Sequence, residues 1–207
     1  MPIVLKKSRK SWLIAIALVA VSLSSGIAFA QFAEPSIYKA TIHKLELSSD
    51  SGSTWSVTLG TKTQEFDIAS ASVNSAVGNY LAGTPSLAPN TTYNAVRVTV
   101  DETFKMKGEV SAGITSFYTT TGTNNESTKS SDLAEGSYTI TECNNLPSGT
   151  NSVSGGQCLD ERTASLTTDG QGNMTFTVCF DISQGLELDG SDLVPGNPTI
   201  TYTSGSC

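Results

Sequence analysis

One histidine, four cysteines and nineteen carboxylates are the residues of this 207-residue chain from which chemistry could be assembled. His43 sits in the alternating stretch KATIHKLEL and reads as an exposed or edge-strand side chain, not as a general base. Adjacent carboxylates occur at Asp101-Glu102 and Asp160-Glu161. Neighbours in a strand point to opposite faces, so neither pair can flank a glycosidic bond by itself. There is no Gly-x-Ser-x-Gly elbow, no glycine-rich phosphate loop opening a helix and no convincing Cys-His pair. The expectation is a protein that is not an enzyme and needs no cofactor.

Cys143, Cys158, Cys179 and Cys207 follow one another at spacings of 15, 21 and 28 residues, without the close pair a structural zinc site uses. An even number of cysteines in an exported chain instead suggests two disulfides, for which three connectivities are open. In MTFTVCFDI, residues 174–182, Cys179 alternates with the apolar side chains and falls on the polar face. If Cys143 keeps the same parity, both thiols lie away from the core. Cys143 with Cys158 then closes the loop NNLPSGTNSVSGGQ, and Cys179 with Cys207 pins the C-terminus. The loops DGQGN and LDGSDL place Asp169, Asn173, Asp189 and Asp192 where oxygen ligands for calcium could converge. Neither matches the twelve-residue calcium template, and ordinary Asp-Gly turn chemistry is the stronger reading. Asn90, Asn125 and Asn173 head Asn-x-Ser/Thr sequons, which matter only in a host that glycosylates exported proteins.

The compartment is read from the first 30 residues. Lys6, Lys7, Arg9 and Lys10 precede an apolar run from Trp12 to Val21, and Ala28-Phe29-Ala30 fits a small-x-small cleavage site. The strongly apolar part is shorter than the ~20 residues a membrane-spanning helix needs, so a signal peptide is expected at 1–30 and a mature start at Gln31. The mature part keeps eight Lys and Arg against all nineteen Asp and Glu, a net charge of −11. Such a surface repels phosphate backbones and anionic headgroups, which argues against nucleic-acid binding and electrostatic membrane attachment.

Residues that must position these groups show period-two alternation, with Gly, Asn, Asp or Pro clusters between runs. The fold class is therefore all-β, an antiparallel Greek-key sandwich of about eight or nine strands in a single domain over 31–207. IYKATIHKLELSS and TWSVTLG are expected to form a hairpin around DSGS, with Trp55, Val57 and Leu59 on a buried face, and ERTASLTT to reverse through DGQGN into MTFTVCFDI. DIASASVNSAVGNYLAG is spaced loosely for one short helix, with Ile68, Val73, Val77 and Leu81 on its buried side. TTTGTNNESTKSS, residues 119–131, has no periodicity and reads as a long exposed loop or mobile linker. LAPNTTY and LAEGSY repeat one pattern, and Tyr93 and Tyr138 are candidates for tyrosine corners, in which the hydroxyl bonds the preceding connection.

LELSSDSGSTWSVTL, then EFDI, then LAPNTTYNAVRV resemble a domain-of-unknown-function family of bacterial secreted and lipid-anchored proteins with a transthyretin-like, or prealbumin-like, β-sandwich. The resemblance covers about residues 37–100, with Trp55, Phe66, Asp67, Tyr93 and Arg97 at matching positions. The family's turn glycine is replaced near Asn90-Thr91, and its lipid-attachment cysteine is missing. What the resemblance implies is a fold and a cell-envelope setting, with no chemistry to carry over.

The sequence thus points to an exported, disulfide-containing structural or adhesive protein of the cell surface or extracellular matrix, such as a filament or matrix subunit, with the periplasm as the alternative location. Self-association is expected to use SIYKATIHKLEL as an edge or donor strand, unless that strand pairs within its own domain. Surface glycans or proteins are the other candidate partners. The rival functions are a glycan-binding module that stacks sugars on Trp55 or tyrosines and, more remotely, a secreted hydrolase.

Overall fold

The computed structural model describes residues 3–7, 31–70, 86–140, 143, 153–196 and 198–204. They form strands β1 (Ile3–Lys7), β2 (Gln31–Ala33), β3 (Ile37–Ser48), β4 (Val57–Gly60), β5 (Gln64–Asp67), β6 (Thr92–Asp101), β7 (Thr103–Lys107), β8 (Glu109–Ala112) and β9 (Thr115–Thr119). After these come β10 (Glu126–Ser127), β11 (Gly136–Thr139), β12 (Val153–Ser154), β13 (Gln157–Thr167), β14 (Phe176–Asp181), β15 (Leu186–Asp189), β16 (Asp192–Pro195) and β17 (Thr199–Thr203). The chain is all-β, as its alternation demands, and its sheets pack around one continuous core. The strands outnumber the eight or nine expected because several long runs break into short segments at bends. Of the expected helix, Ile68 is buried, while Val73, Val77 and Leu81 lie outside the described residues.

β3 is the spine of the largest sheet. One of its edges pairs with β7 and then β6, and the other with β5 and then β4, all antiparallel. Both edges of SIYKATIHKLEL are thereby used within the domain, the alternative to its use as a free edge or donor. Tyr38, Ala40, Ile42, Leu45 and Leu47 are buried. Their spacing changes phase between Ile42 and Leu45, because the register against β6 slips there and His43 is the extra residue of a bulge.

The hairpin joining β3 to β4 forms as expected. Leu59 is buried, whereas Trp55 and Val57 are only partly so. Asp50 organises its loop, accepting from the Ser48 hydroxyl at 2.6 Å and from the Thr54 amide and hydroxyl at 2.8 and 2.7 Å. Those bonds, the one from Ser48 foremost, hold its pKa down at about 2.

The expected reversal from ERTASLTT into MTFTVCFDI is not a paired hairpin. β13 pairs with β6 and β12, while β14 pairs with β17 and β1, so DGQGN carries the chain from one sheet to another. Phe176, Val178 and Phe180 are buried as the alternation requires, but Thr177 and Cys179 are buried too. β14 is covered on both faces, and the polar-face parity inferred for Cys179 fails for that reason.

The two look-alike corners are built differently. Tyr138 donates its hydroxyl to the Asn125 carbonyl and accepts from the Thr120 amide at 3.3 Å, the bond pattern of a tyrosine corner. Gly136 approaches the Thr120 carbonyl too closely for any Cβ, which explains the glycine before this tyrosine. The polar stretch 119–131 is accordingly tied down: β10 pairs with β9, and Asn124 and Ser137 bond through their backbones. At the other corner Tyr93 is buried, and among the described residues its hydroxyl makes no such bond. The loop is held instead by Thr168, which donates to the Ala88 carbonyl at 2.6 Å and accepts from the Thr91 amide at 2.9 Å. Asn90 sits there at φ 52°, the left-handed conformation that glycine or asparagine takes most readily, so it can serve where the family pattern has glycine. Tyr138→Phe is expected to lower stability by about 1 kcal/mol and to speed amide exchange across 120–127, whereas Tyr93→Phe leaves both nearly unchanged. Denaturant unfolding with hydrogen exchange measures the contrast, and equal effects would show the two corners to be equivalent.

Candidate functional site

The bulge in β3 turns His43 outward and brings together residues far apart in sequence. Its Nε2 lies 2.6 Å from Asp101 Oδ1 at the end of β6, and its Nδ1 lies 3.0 Å from Thr63 Oγ1 in the loop between β4 and β5. A carboxylate accepts, so Nε2 carries hydrogen toward Asp101, and an Nδ1 without hydrogen accepts from the Thr63 hydroxyl. Carboxylate, imidazole and hydroxyl in line is the order that activates a nucleophile. Ile42 and Val100, the neighbours of His43 and Asp101, line an apolar cavity on the inner side of the sheet. The hydroxyl end of the trio therefore faces away from that cavity, and what the three residues demonstrably do is pin the β4–β5 connection to the spine. His43 was expected to be an idle surface residue. The signal that could have corrected this is the pair of successive polar residues, His43-Lys44, which breaks the alternation where the bulge falls.

Of the adjacent carboxylates only Asp160-Glu161 lies within one strand and diverges as expected, since Glu102 sits at a bend past the end of β6. Asp101 holds His43, and Glu102 anchors its backbone to Gly156. Asp160 turns inward and is buried, while Glu161 lies outside, 3.5 Å from Arg97. Burial raises the Asp160 pKa, although Arg162 and Tyr202 pull it the other way. The Arg162 Nε reaches both carboxylate oxygens at 2.9 Å, its Nη1 donates to the Ile200 carbonyl at 3.3 Å, and Tyr202 donates to Asp160 at 3.2 Å. This polar cluster ties β13 of the large sheet to β17 of the small one. No motif pointed to it, because its members meet only when the sheets stack. Beside it lies a cavity of about 50 Å³, lined by Tyr38, Ile42, Phe104, Val178, Phe180 and Ile200 among others, whose wall presents only apolar atoms. A space of that size and character does not retain water.

On the outer face of the large sheet, Glu46 is buried between cations, 2.7 Å from Lys44 and 2.8 Å from Arg97. Burial works against its ionisation, but the bonds from Arg97 and Lys44 prevail and its pKa is lowered. Arg97 also stands 4.5 Å over the centre of the Trp55 ring. Trp55 thus has one face occupied, and Tyr38, Tyr93 and Tyr138 are buried, so these rings form no common stacking surface.

Cys143 and Cys158 are disulfide-bonded with Cα atoms 5.5 Å apart, the pairing expected, which in the loop-entropy account contributes about 3 kcal/mol. Both cysteines are buried in the core, which corrects the solvent-side place expected for Cys143. Cys179 is also disulfide-bonded, and Cys207, its expected partner, lies outside the described residues. Asp169 spends its carboxylate on its own turn, accepting from the amides of Gln171 and Asn173, both at 2.8 Å. Asp189 and Asp192 face each other as the closing pair of the β15–β16 hairpin. Among the described residues no group of three or more His, Cys, Asp or Glu side chains could hold a metal ion. The sequon residues Asn90, Asn125 and Asn173 are all exposed.

Compared with known proteins, the chain matches no family model, no curated protein and no solved structure. Phe66 packs in the core, Asp67 accepts from the Ser70 amide at 3.3 Å, and Arg97 joins Trp55 to Glu46.

Breaking the inter-sheet cluster has a signed consequence. Arg162→Met strands Asp160 as a buried charge and is expected to cost about 3–5 kcal/mol at neutral pH. Because the folded-state pKa of Asp160 is raised, its favourable contribution is complete below the ordinary Asp value and is lost as pH rises through the folded value. Arg162→Met raises that folded value further. Its deficit against the native chain should therefore shrink as pH falls, and unfolding curves from pH 7 down to 4 that stay parallel would contradict this.

Proposed function

We propose that the processed chain is an exported, non-enzymatic protein that acts structurally or adhesively at the cell surface or in the extracellular matrix, as a filament or matrix subunit. The observation that carries this reading is the edge of β14. It is closed by β1, which belongs to the segment whose composition marks it for removal on export. Processing would leave an uncharged strand edge, and such edges are where β proteins join other chains. The disulfide is compatible with an oxidising compartment, and among the described residues no helix is long and apolar enough to cross a membrane. The acidity of the mature part suits a protein kept off nucleic acid and anionic lipid.

The Thr63–His43–Asp101 line gives a hydrolytic role its one specific support and makes it the second reading. Both readings are tested on the native producer. Fractionation and immuno-electron microscopy should place the protein on the surface or in matrix filaments; recovery only as a free monomer in the periplasm or medium would overturn the structural reading. Hydrolysis of an activated acyl ester that falls about a hundredfold in Thr63→Ala, with the fold intact, would establish the second.

A further inference from the structure

Removal of residues 1–30 would make Gln31 the first residue of the mature chain, and Gln31 is also the first residue of β2. β2 pairs antiparallel with β15, Gln31 opposite Leu188, Phe32 opposite Glu187 and Ala33 opposite Leu186. Residues opposite one another share a face of the sheet. The Gln31 side chain therefore lies beside the buried Leu188, while Glu187 alternates to the other face with the exposed Phe32. Gln31 Oε1 is buried, and among the described residues no donor reaches it. A side-chain amide whose carbonyl is held by nothing is free to turn back on its own backbone. Four residues on, Pro35 is buried against Gly108 and Gly185, so the chain is anchored just past β2.

We propose that Gln31, once freed by processing, is a modification site that closes on itself to an N-terminal pyroglutamate. The proposal rests on the reading of residues 1–30 as a removable export segment. Near neutral pH part of an α-amine is unprotonated and nucleophilic. Its nitrogen attacks Cδ of the same residue, a five-membered closure in which the reacting groups are already tethered. The new N–Cδ bond forms, the Cδ–Nε2 bond breaks, and Nε2 leaves as ammonia with the proton that the amine gives up. No oxidant, cofactor or second protein enters the balance. The ring replaces an ammonium and a free amide by one neutral lactam at a half-buried strand end beside Leu188, where a charge would be poorly solvated. It also removes the free amine by which aminopeptidases grip a chain. Without the ring, trimming would run as far as Glu34, because the Glu34–Pro35 bond has no N–H and resists ordinary aminopeptidases. The residues lost before Glu34 would be Gln31–Ala33, which are β2, and β15 would lose that partner.

The test uses the full chain with a protease site inserted ahead of Gln31, of a kind that leaves no residue behind, folded and oxidised intact and then cut. The tryptic peptide 31–39 is weighed at intervals and its α-amine is titrated with an amine-reactive label, beside a synthetic peptide of residues 31–39. The expected result is a peptide from the folded chain that becomes one ammonia lighter and loses its label as fast as the synthetic one, after which the chain resists an aminopeptidase. Gln31→Ser, which cannot close the ring, should keep its label and be shortened to Glu34. A folded chain that retains its full mass and its label after the synthetic peptide has closed overturns the proposal, since the fold then holds the amine away from Cδ. A Gln31→Ser chain that resists the aminopeptidase overturns the protective role of the ring. Processing is scored separately on the native producer: a mature N-terminus at Gln31 with a free amine overturns the proposal, whereas a start at another residue refutes the reading of residues 1–30 and leaves the ring closure measured on the cut chain standing.

Discussion

The twelve-residue strand β3 has partner strands along both of its edges, and the position of nearly everything else follows from that constraint. A long strand buried in the middle of a sheet must find partners for every amide and carbonyl on both sides. Neither neighbour does this with one straight strand. On each side the chain supplies two segments in succession, β4 with β5 and β6 with β7. The breaks between them release β6 toward β13 and β7 toward β11. The branching of the sheet is thus a consequence of how the spine is served.

The bulge at His43 belongs to the same problem. One extra residue lets Ile42 and Leu45 both face the core, and it sends His43 and Lys44 out together. The outward pair is then held by side chains, His43 by Asp101 and Thr63, and Lys44 by Glu46. Polar bonds outside the sheet fix the register that apolar packing inside it requires. Between the sheets the roles are reversed, since the Asp160–Arg162–Tyr202 cluster orients β17 beside an otherwise apolar interior. Buried ion pairs of this kind contribute more to geometry than to net stability, because desolvation offsets most of their attraction.

The small sheet is where the molecule is least self-sufficient. β14 is buried on both faces and uncharged along nearly all its length, and a strand of that character is stable only when its edges are paired. One partner comes from the far C-terminal strand and the other from the first residues of the chain. The spine, by contrast, is completed entirely from within 37–107.

The alternation of Thr, Val, Ile and Tyr with turn residues determined the all-β class without help, because period two is a local property of the strand. The Asp-Gly and Asn turns and the inward set of MTFTVCFDI were legible for the same reason, each resting on residues close in sequence, whereas the Cys143–Cys158 pairing held although the parity that suggested it did not. Pairing between distant strands was not. Whether ERTASLTT folds back on MTFTVCFDI or hands it to another sheet depends on which edges remain open after β6 has taken β13, and no local pattern contains that information. The parity of Cys179 misled because alternation tells two faces apart but does not say that one of them meets solvent. His43, Asp101 and Thr63, or Asp160, Arg162 and Tyr202, become neighbours only through a bulge or the stacking of sheets. Those contacts are long-range, and only the tertiary structure could decide them.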